Sequence, residues 1–246
     1  MIKHNKVLLD QNILKSSYNF IKDGNLATSK YVKKLENYFE KSYYKKGYAV
    51  ATSSGTSALY IAIKSLIKKK GARILVPTYS CSALLNAIYM ANATPVVADV
   101  NEKNFVIDTK KKYKNIDIII AVNIFGSDPD IKTLKKKYPN SKIIFDACHS
   151  IGRKVNKNDL YFLADIIIHS FYATKIITCG HGGLIWSKNK NSIDFCKDFI
   201  NFDLRKKYKK RFNFLITDFQ VSLLFEQLKN LEKIRRFRNN TFKKYK

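Results

Sequence analysis

An α/β fold, with a mostly parallel sheet and helices on both of its faces, is what this sequence predicts. Three observations carry the prediction. Short apolar runs recur, at residues 116–122, 142–145 and 166–168 among others. Each is too short for a helix and too continuous for a strand with one wet face, so each reads as a strand buried on both sides. Lysine-rich amphipathic stretches separate the runs, and repeated β-α units of that length build a parallel sheet.

The elements follow in order. Residues 1–26 have no clear periodicity. Over residues 29–46, Tyr31, Leu35, Tyr38 and Phe39 fall on one helical face. Residues 48–52 form a strand, Ser53 to Thr56 a turn with N-cap character, and 58–67 a helix. A strand at 73–76 runs into Pro77-Thr78-Tyr79-Ser80-Cys81, and a helix at 82–90 leads to an extended stretch at 95–99. The strand at 116–122 ends on Asn123-Ile124-Phe125-Gly126. A helix at 131–138 and strands at 142–145, 166–168 and 184–186 follow. Residues 191–212 are mixed and basic. Residues 217–234 read as one helix, with Phe219, Leu223, Leu224, Leu228 and Leu231 as its apolar stripe. Beyond about Asn230 the tail, with Phe237, Phe242 and Tyr245, is expected to fray.

Composition narrows the function. The 246 residues suit one large domain, or one domain and a fragment of another. The formal charge of +27 is extreme, but its lysines are spread along the whole chain. No aromatic-interleaved basic motif accompanies them, so nucleic acid is not expected as a partner. A positive field of this kind also draws in small anionic ligands. Cysteines 81, 148, 179 and 196 form no C-x-x-C pair and fit no zinc spacing. Free thiols in a reducing cytoplasm, and no metal, are therefore expected. No apolar run approaches the roughly 20 residues of a membrane helix, and the N-terminus has no apolar leader core.

Chemistry concentrates at three strand exits. After 166–168 the chain passes through His169-Ser170-Phe171-Tyr172-Ala173-Thr174 to Lys175. A lysine between buried-looking segments either snorkels to water or serves as a partly desolvated nucleophilic amine, as a Schiff-base lysine does. Ser53-Ser54-Gly55-Thr56 joins a strand to a helix N-terminus, which makes it either a plain cap or an anion cradle. Asp146 follows the strand at 142–145, as a cap or as a buried acid. In a parallel sheet, ligands bind outside the carboxyl ends of the strands, where all three stretches fall.

Five motifs in order resemble the DegT/DnrJ/EryC1/StrS family of aminotransferases, which use pyridoxal phosphate. They are SSGTSAL at 53–59, Asp146-x-x-His149, Ser170-Phe171-x-x-Thr174-Lys175, Gly180-x-Gly182-Gly183, and Asn213-Phe214-x-x-Thr217-Asp218-Phe219-Gln220. The resemblance implies the large domain of the fold-type I transferases over residues 1–230. Residues 231–246 would then begin the connection to a small domain that is missing. It implies that Lys175 is the catalytic residue and also binds the cofactor. Asp146 would hold the pyridine nitrogen and His149 the ring hydroxyl. Ser170, Gly55 and Thr56 would hold the phosphate, and Cys81 would lie where relatives place an aromatic ring over the cofactor. Asn213 would reach the phosphate of the neighbouring subunit in a homodimer. A nucleotide-linked keto-sugar would be the substrate and glutamate the amino donor, for cell-surface polysaccharide or related amino-sugar synthesis.

Departures from the family pattern are Cys81 itself, His181 in place of an acid between the glycines, and Leu215 in place of an arginine. A dehydratase of the same family would carry histidine at Lys175. Two further readings compete with the enzyme: a cofactor-binding or partner subunit without turnover, and a basic nucleic-acid binder supported by charge alone.

Overall fold

In the computed structural model, residues 10–22, 24, 26–153, 155, 159–203 and 207–245 are described. The chain opens with α1 (Gln11–Ile21), α2 (Lys30–Tyr38), a π-turn at Phe39–Tyr43 and β1 (Tyr48–Thr52). Next come α3 (Gly55–Leu66), β2 (Arg73–Pro77), α4 (Ala83–Met90), β3 (Thr94–Ala98) and β4 (Ile118–Val122). Then follow α5 (Ile131–Lys137), β5 (Lys142–Asp146), a 3₁₀ turn at Leu160–Leu163, β6 (Ile166–Ser170) and β7 (Gly183–Ser187). The last elements are the helices α6 (Lys190–Ile200), α7 (Asp218–Lys229) and α8 (Leu231–Lys243).

The strands form one seven-stranded sheet in the order β1-β7-β6-β5-β4-β2-β3. Strand β7 pairs antiparallel with both β1 and β6, and every other pairing is parallel. Six strands therefore run one way and their carboxyl ends share one edge.

Alternation along each strand feeds two cores. Ile119, Ala121, Ile143, Phe145 and Ile167 pack on one face with residues of α2, α5 and α7. Ile118, Ile120, Ile144, Ile166 and Ile168 pack on the other with α3, α4 and α6. With helices on both sides, no face of a central strand is left to water, and this is why the strands read as unbroken apolar runs.

Four expectations need correction. Residues 1–26 contain α1, capped by the Asp10 side chain, which accepts from the Ile13 N–H. Only Ile13 and Ser17 of α1 are buried, while Leu14 and Tyr18 face out, so no clean stripe exists to be read. Residues 191–212 contain most of α6, whose Ile193, Cys196 and Ile200 reach the core among charged neighbours. The helix expected over 217–234 breaks at Asn230, whose side chain turns back to the Glu226 carbonyl. Its buried stripe is Val221, Leu224, Phe225 and Leu228, with Phe219 facing solvent. Finally, the tail expected to fray is the helix α8, although Leu231 is its one buried residue among those described.

Candidate active site

A cavity of about 320 Å³ opens at the carboxyl edge of the sheet. Gly55 and Thr56 line it at the start of α3, and Cys81 after β2. Asp146 lines it from the end of β5, His149 from the turn beyond, Ser170 from the end of β6, and Lys175 from the next turn. Seven of the eight residues expected at the site thus meet around one space. Asn213 does not line the cavity. It is exposed, and its side-chain oxygen accepts from the Leu215 N–H at 3.4 Å.

The cradle at α3 is built by a reciprocal cap. Ser54 Oγ accepts from the Ser57 N–H at 3.0 Å, and Ser57 Oγ accepts from the Ser54 N–H at 2.9 Å. The first turn of a helix has no intrahelical partners for its N–H groups, so those of Gly55 and Thr56 remain available to an anion. Gly55 is needed for close approach: a Cβ there would lie 2.8 Å from the Ser170 Cβ and 2.9 Å from its Oγ. Gly183 answers a similar demand, since a Cβ would meet the Ser54 carbonyl oxygen at 2.2 Å. The two glycines bring β6, β7 and the α3 turn together, and the hydroxyls of Ser170 and Thr56 share the cavity wall as a result.

Asp146 is 5% exposed. One carboxylate oxygen accepts from the Cys148 N–H at 3.0 Å. Beside it, burial and then the Asp146 charge push the Cys148 thiol well up, so it stays protonated. His149 is pulled the other way, below the ordinary imidazole value, first by burial and then by the Lys175 ammonium.

Lys175 is half-buried, on a loop pinned at several points. Its N–H donates to the Tyr172 carbonyl at 2.9 Å, and the Phe171 N–H to the Gly182 carbonyl at 2.8 Å. From α7, Gln227 clasps Thr178: its oxygen accepts from the Thr178 N–H at 3.0 Å and its Nε2 donates to the Thr178 carbonyl at 2.8 Å. Gln220 Nε2 donates to the His181 carbonyl at 3.0 Å. Asp218, fully buried, accepts from Ser29 and from the N–H groups at the start of α2. The Thr217-Asp218-Phe219-Gln220 motif therefore acts as a brace behind the lysine loop.

Several lining residues escaped the sequence reading, Asn123, Cys148 and Tyr172 among them. Asn123 directly follows β4 at the same edge as Asp146, and position at a strand exit was the available signal. Its Nδ2 donates to Asp128 at 2.8 Å and its Oδ1 accepts from the Gly126 N–H at 3.1 Å. Tyr172 and Cys148 also face the cavity, and Tyr172 meets the His181 ring edge-on at 5.2 Å. Among the described residues, no group of three His, Cys, Asp or Glu could hold a metal, and no helix is long and apolar enough to cross a membrane.

An anion cradle, a buried carboxylate and a half-buried amine on one cavity fit a ligand that carries a phosphate, a basic ring nitrogen and an electrophilic carbon. Comparison with known proteins agrees. The chain is 29% identical over 216 residues to GDP-perosamine synthase of Vibrio cholerae, covering 83% of this chain and 59% of that protein. It is 30% identical over 235 residues to the 3-oxo-glucose-6-phosphate:glutamate aminotransferase of Bacillus subtilis, covering 90% and 52%. The chain thus spans little more than half the length of these curated relatives. Among solved structures, NtdA of Bacillus subtilis with bound cofactor PMP superposes with a TM-score of 0.82 at 26% identity, over 91% of this chain and 54% of that one. The fold is that of the fold-type I aminotransferases. The profile of the DegT/DnrJ/EryC1/StrS aminotransferase family matches residues 8–246, and the chain belongs to that family.

Proposed function

We propose that this chain is the cofactor-binding part of a pyridoxal phosphate-dependent sugar aminotransferase. Its substrate class is a nucleotide-linked keto-sugar, glutamate is its amino donor, and its products serve cell-surface polysaccharide or related amino-sugar synthesis. The observation that carries this reading is the convergence of Lys175, Asp146 and the Gly55–Ser170 cradle on one cavity.

Pyridoxal phosphate, when bound, supplies an electron sink for negative charge at the carbon that gains or loses nitrogen. Lys175 Nζ would hold the cofactor covalently and, when free, would be the group that carries a proton at the reacting carbon. The Asp146 carboxylate keeps a proton on the ring nitrogen, which a neutral amide does less well. Ser170 Oγ, Thr56 Oγ1 and the N–H groups at the start of α3 bind the phosphate. His149 would hold the ring hydroxyl, and the small Cys81 would stand on the side where relatives place an aromatic ring.

Residues 1–230 are the cofactor domain in this reading, and 231–246 begin the connection to the part that the relatives have beyond it. Asn213, away from its own chain's cavity, serves a second copy in a homodimer. A reducing cytoplasm suits the four unpaired cysteines. The field of a +27 chain favours the anionic substrate.

The test is to add pyridoxal phosphate to the chain, treat with borohydride, and locate the adduct by peptide mass spectrometry. Transfer of nitrogen from glutamate to a GDP- or other nucleotide-linked keto-sugar is then followed. An adduct at Lys175 with turnover supports the reading. An adduct without turnover favours a cofactor-binding subunit that is not catalytic, and no adduct sinks both of these cofactor-binding readings.

A further inference from the structure

Phe125 is an anomaly for folding. Its φ is +50°, in the left-handed region that suits glycine or asparagine. Its side chain is 75% exposed, so burial does not repay the strained backbone. The turn that holds it is nevertheless built firmly. Ile124 and Ser127 exchange backbone hydrogen bonds of 3.2 and 2.8 Å. Asn123, at the base of the turn, receives the Gly126 N–H and is anchored on Asp128, which pairs with Arg153.

Both halves of Phe125 act on His149. Its N–H donates to His149 Nδ1 at 3.4 Å. Its ring lies nearly parallel to the imidazole, at 11°, with centroids 5.3 Å apart. A nitrogen that accepts carries no proton, and in a neutral imidazole the proton is then on Nε2. Strained conformations persist where the surroundings over-determine them, and such places concentrate at functional sites.

We infer that Phe125 is the positioning residue for His149. Its N–H selects the imidazole tautomer and its ring fixes the imidazole plane, leaving Nε2 as the donor for the occupant of the cavity that His149 lines. The inference deepens the proposed function and rests on it for the identity of that occupant. It goes beyond it in giving a role to an exposed residue outside the cavity wall. The role of Phe125 predicts that any flat ring at this position serves, and that an aliphatic side chain of similar bulk does not.

Selective ¹⁵N labelling of histidine tests this on the full chain, which has four histidines. The His149 signals are identified by their loss in His149→Gln. In cofactor-free protein, Nδ1 should show the shift of a bare nitrogen and Nε2 that of a protonated one. In Phe125→Ala the imidazole can rotate off the N–H, so the two shifts should move toward each other. Affinity for pyridoxal phosphate should fall about tenfold, the scale of one lost contact. Phe125→Tyr should restore both readouts. If Phe125→Ala loses the turn, as judged by thermal melting, Phe125→Leu supplies bulk without a flat face and should still fail to restore the shifts. A proton on Nδ1 in the parent, or unchanged shifts and affinity in Phe125→Ala, overturns the inference. Shifts that behave as expected in a chain that binds no pyridoxal phosphate would sink the proposed function and leave the role of Phe125 standing.

Discussion

The two faces of β6 place similar chemistry in opposite settings. On one face, Ile168 and Ser170 line the cavity, and His149 joins them from the turn after β5. On the other, His169 sits in a sealed aromatic cluster. Its Nε2 lies 2.6 Å from the Tyr44 hydroxyl, and Phe39, Tyr43 and Tyr44 surround its ring. Tyr44 stacks in turn on Trp186 at 4.5 Å. Burial is the leading cause that lowers both imidazoles, and it takes His169 to about 4. The difference lies in what can reach them. His149 shares its space with Lys175 and Asp146 and opens to a ligand. His169 is buried and does not line that cavity, so its polarity belongs to the fold. A perturbed histidine thus marks a site only when a space adjoins it.

The sharpest break of this comparison is Lys175→Ala. It should abolish turnover and the borohydride-fixed adduct while leaving the melting temperature within a few degrees, because the half-buried side chain is no part of either core. An adduct that persists in the variant would show that another lysine holds the cofactor. Asp146→Asn comes next. Turnover should fall on the order of 10³-fold, the scale of removing one member of a group that acts as a unit. Near-parent turnover would reduce Asp146 to a cap for the Cys148 N–H.

The cavity side of this comparison was legible in the sequence and the sealed side was not. Lys175, Asp146 and Ser170 each follow an apolar run, so their common edge follows from strand direction alone. The runs themselves were legible because both sheet faces are covered, which removes the alternation a wet face would impose. His169 was read as part of the exit from the strand, although β6 continues through it to Ser170. Its partner Tyr44 is 125 residues away in sequence and comes near it only because β1, which follows the π-turn, joins β6 through β7. Helices α1 and α6 were missed for a related reason: each buries only two or three side chains, and tertiary packing selects which. The brace from Gln227 to Thr178 was invisible because nothing local requires it.

The sealed side can be tested through pH. His169 has an ordinary value of 6.5 when unfolded and about 4 when folded. Between these values the unfolded chain binds more protons, so stability rises with pH there. The contribution is complete above pH 6.5 and is lost as pH falls toward 4, a loss of about 3 kcal/mol in all. His169→Gln should flatten that limb in denaturant titrations at stepped pH while leaving cofactor affinity unchanged at neutral pH. A limb that persists unchanged in the variant would assign the acid sensitivity to other groups.

The smallest expected effect separates burial from hydrogen bonding as the reason His169 stays neutral. Tyr44 is fully buried, and its hydroxyl is the polar partner of His169 Nε2. Tyr44→Phe keeps the ring, the stack on Trp186 and the seal. It removes only the hydroxyl, and a buried nitrogen left without its partner costs about 1–2 kcal/mol. That loss should appear at every pH, as a parallel lowering of the stability curve. The limb between pH 6.5 and 4 should survive, because desolvation is the leading cause of the shift and the seal is intact. Turnover and cofactor affinity should not change, since the sheet stands between this cluster and the cavity. If the limb itself shrinks in Tyr44→Phe, the hydroxyl rather than burial holds the imidazole neutral, and the parallel drawn with His149 fails at its physical root.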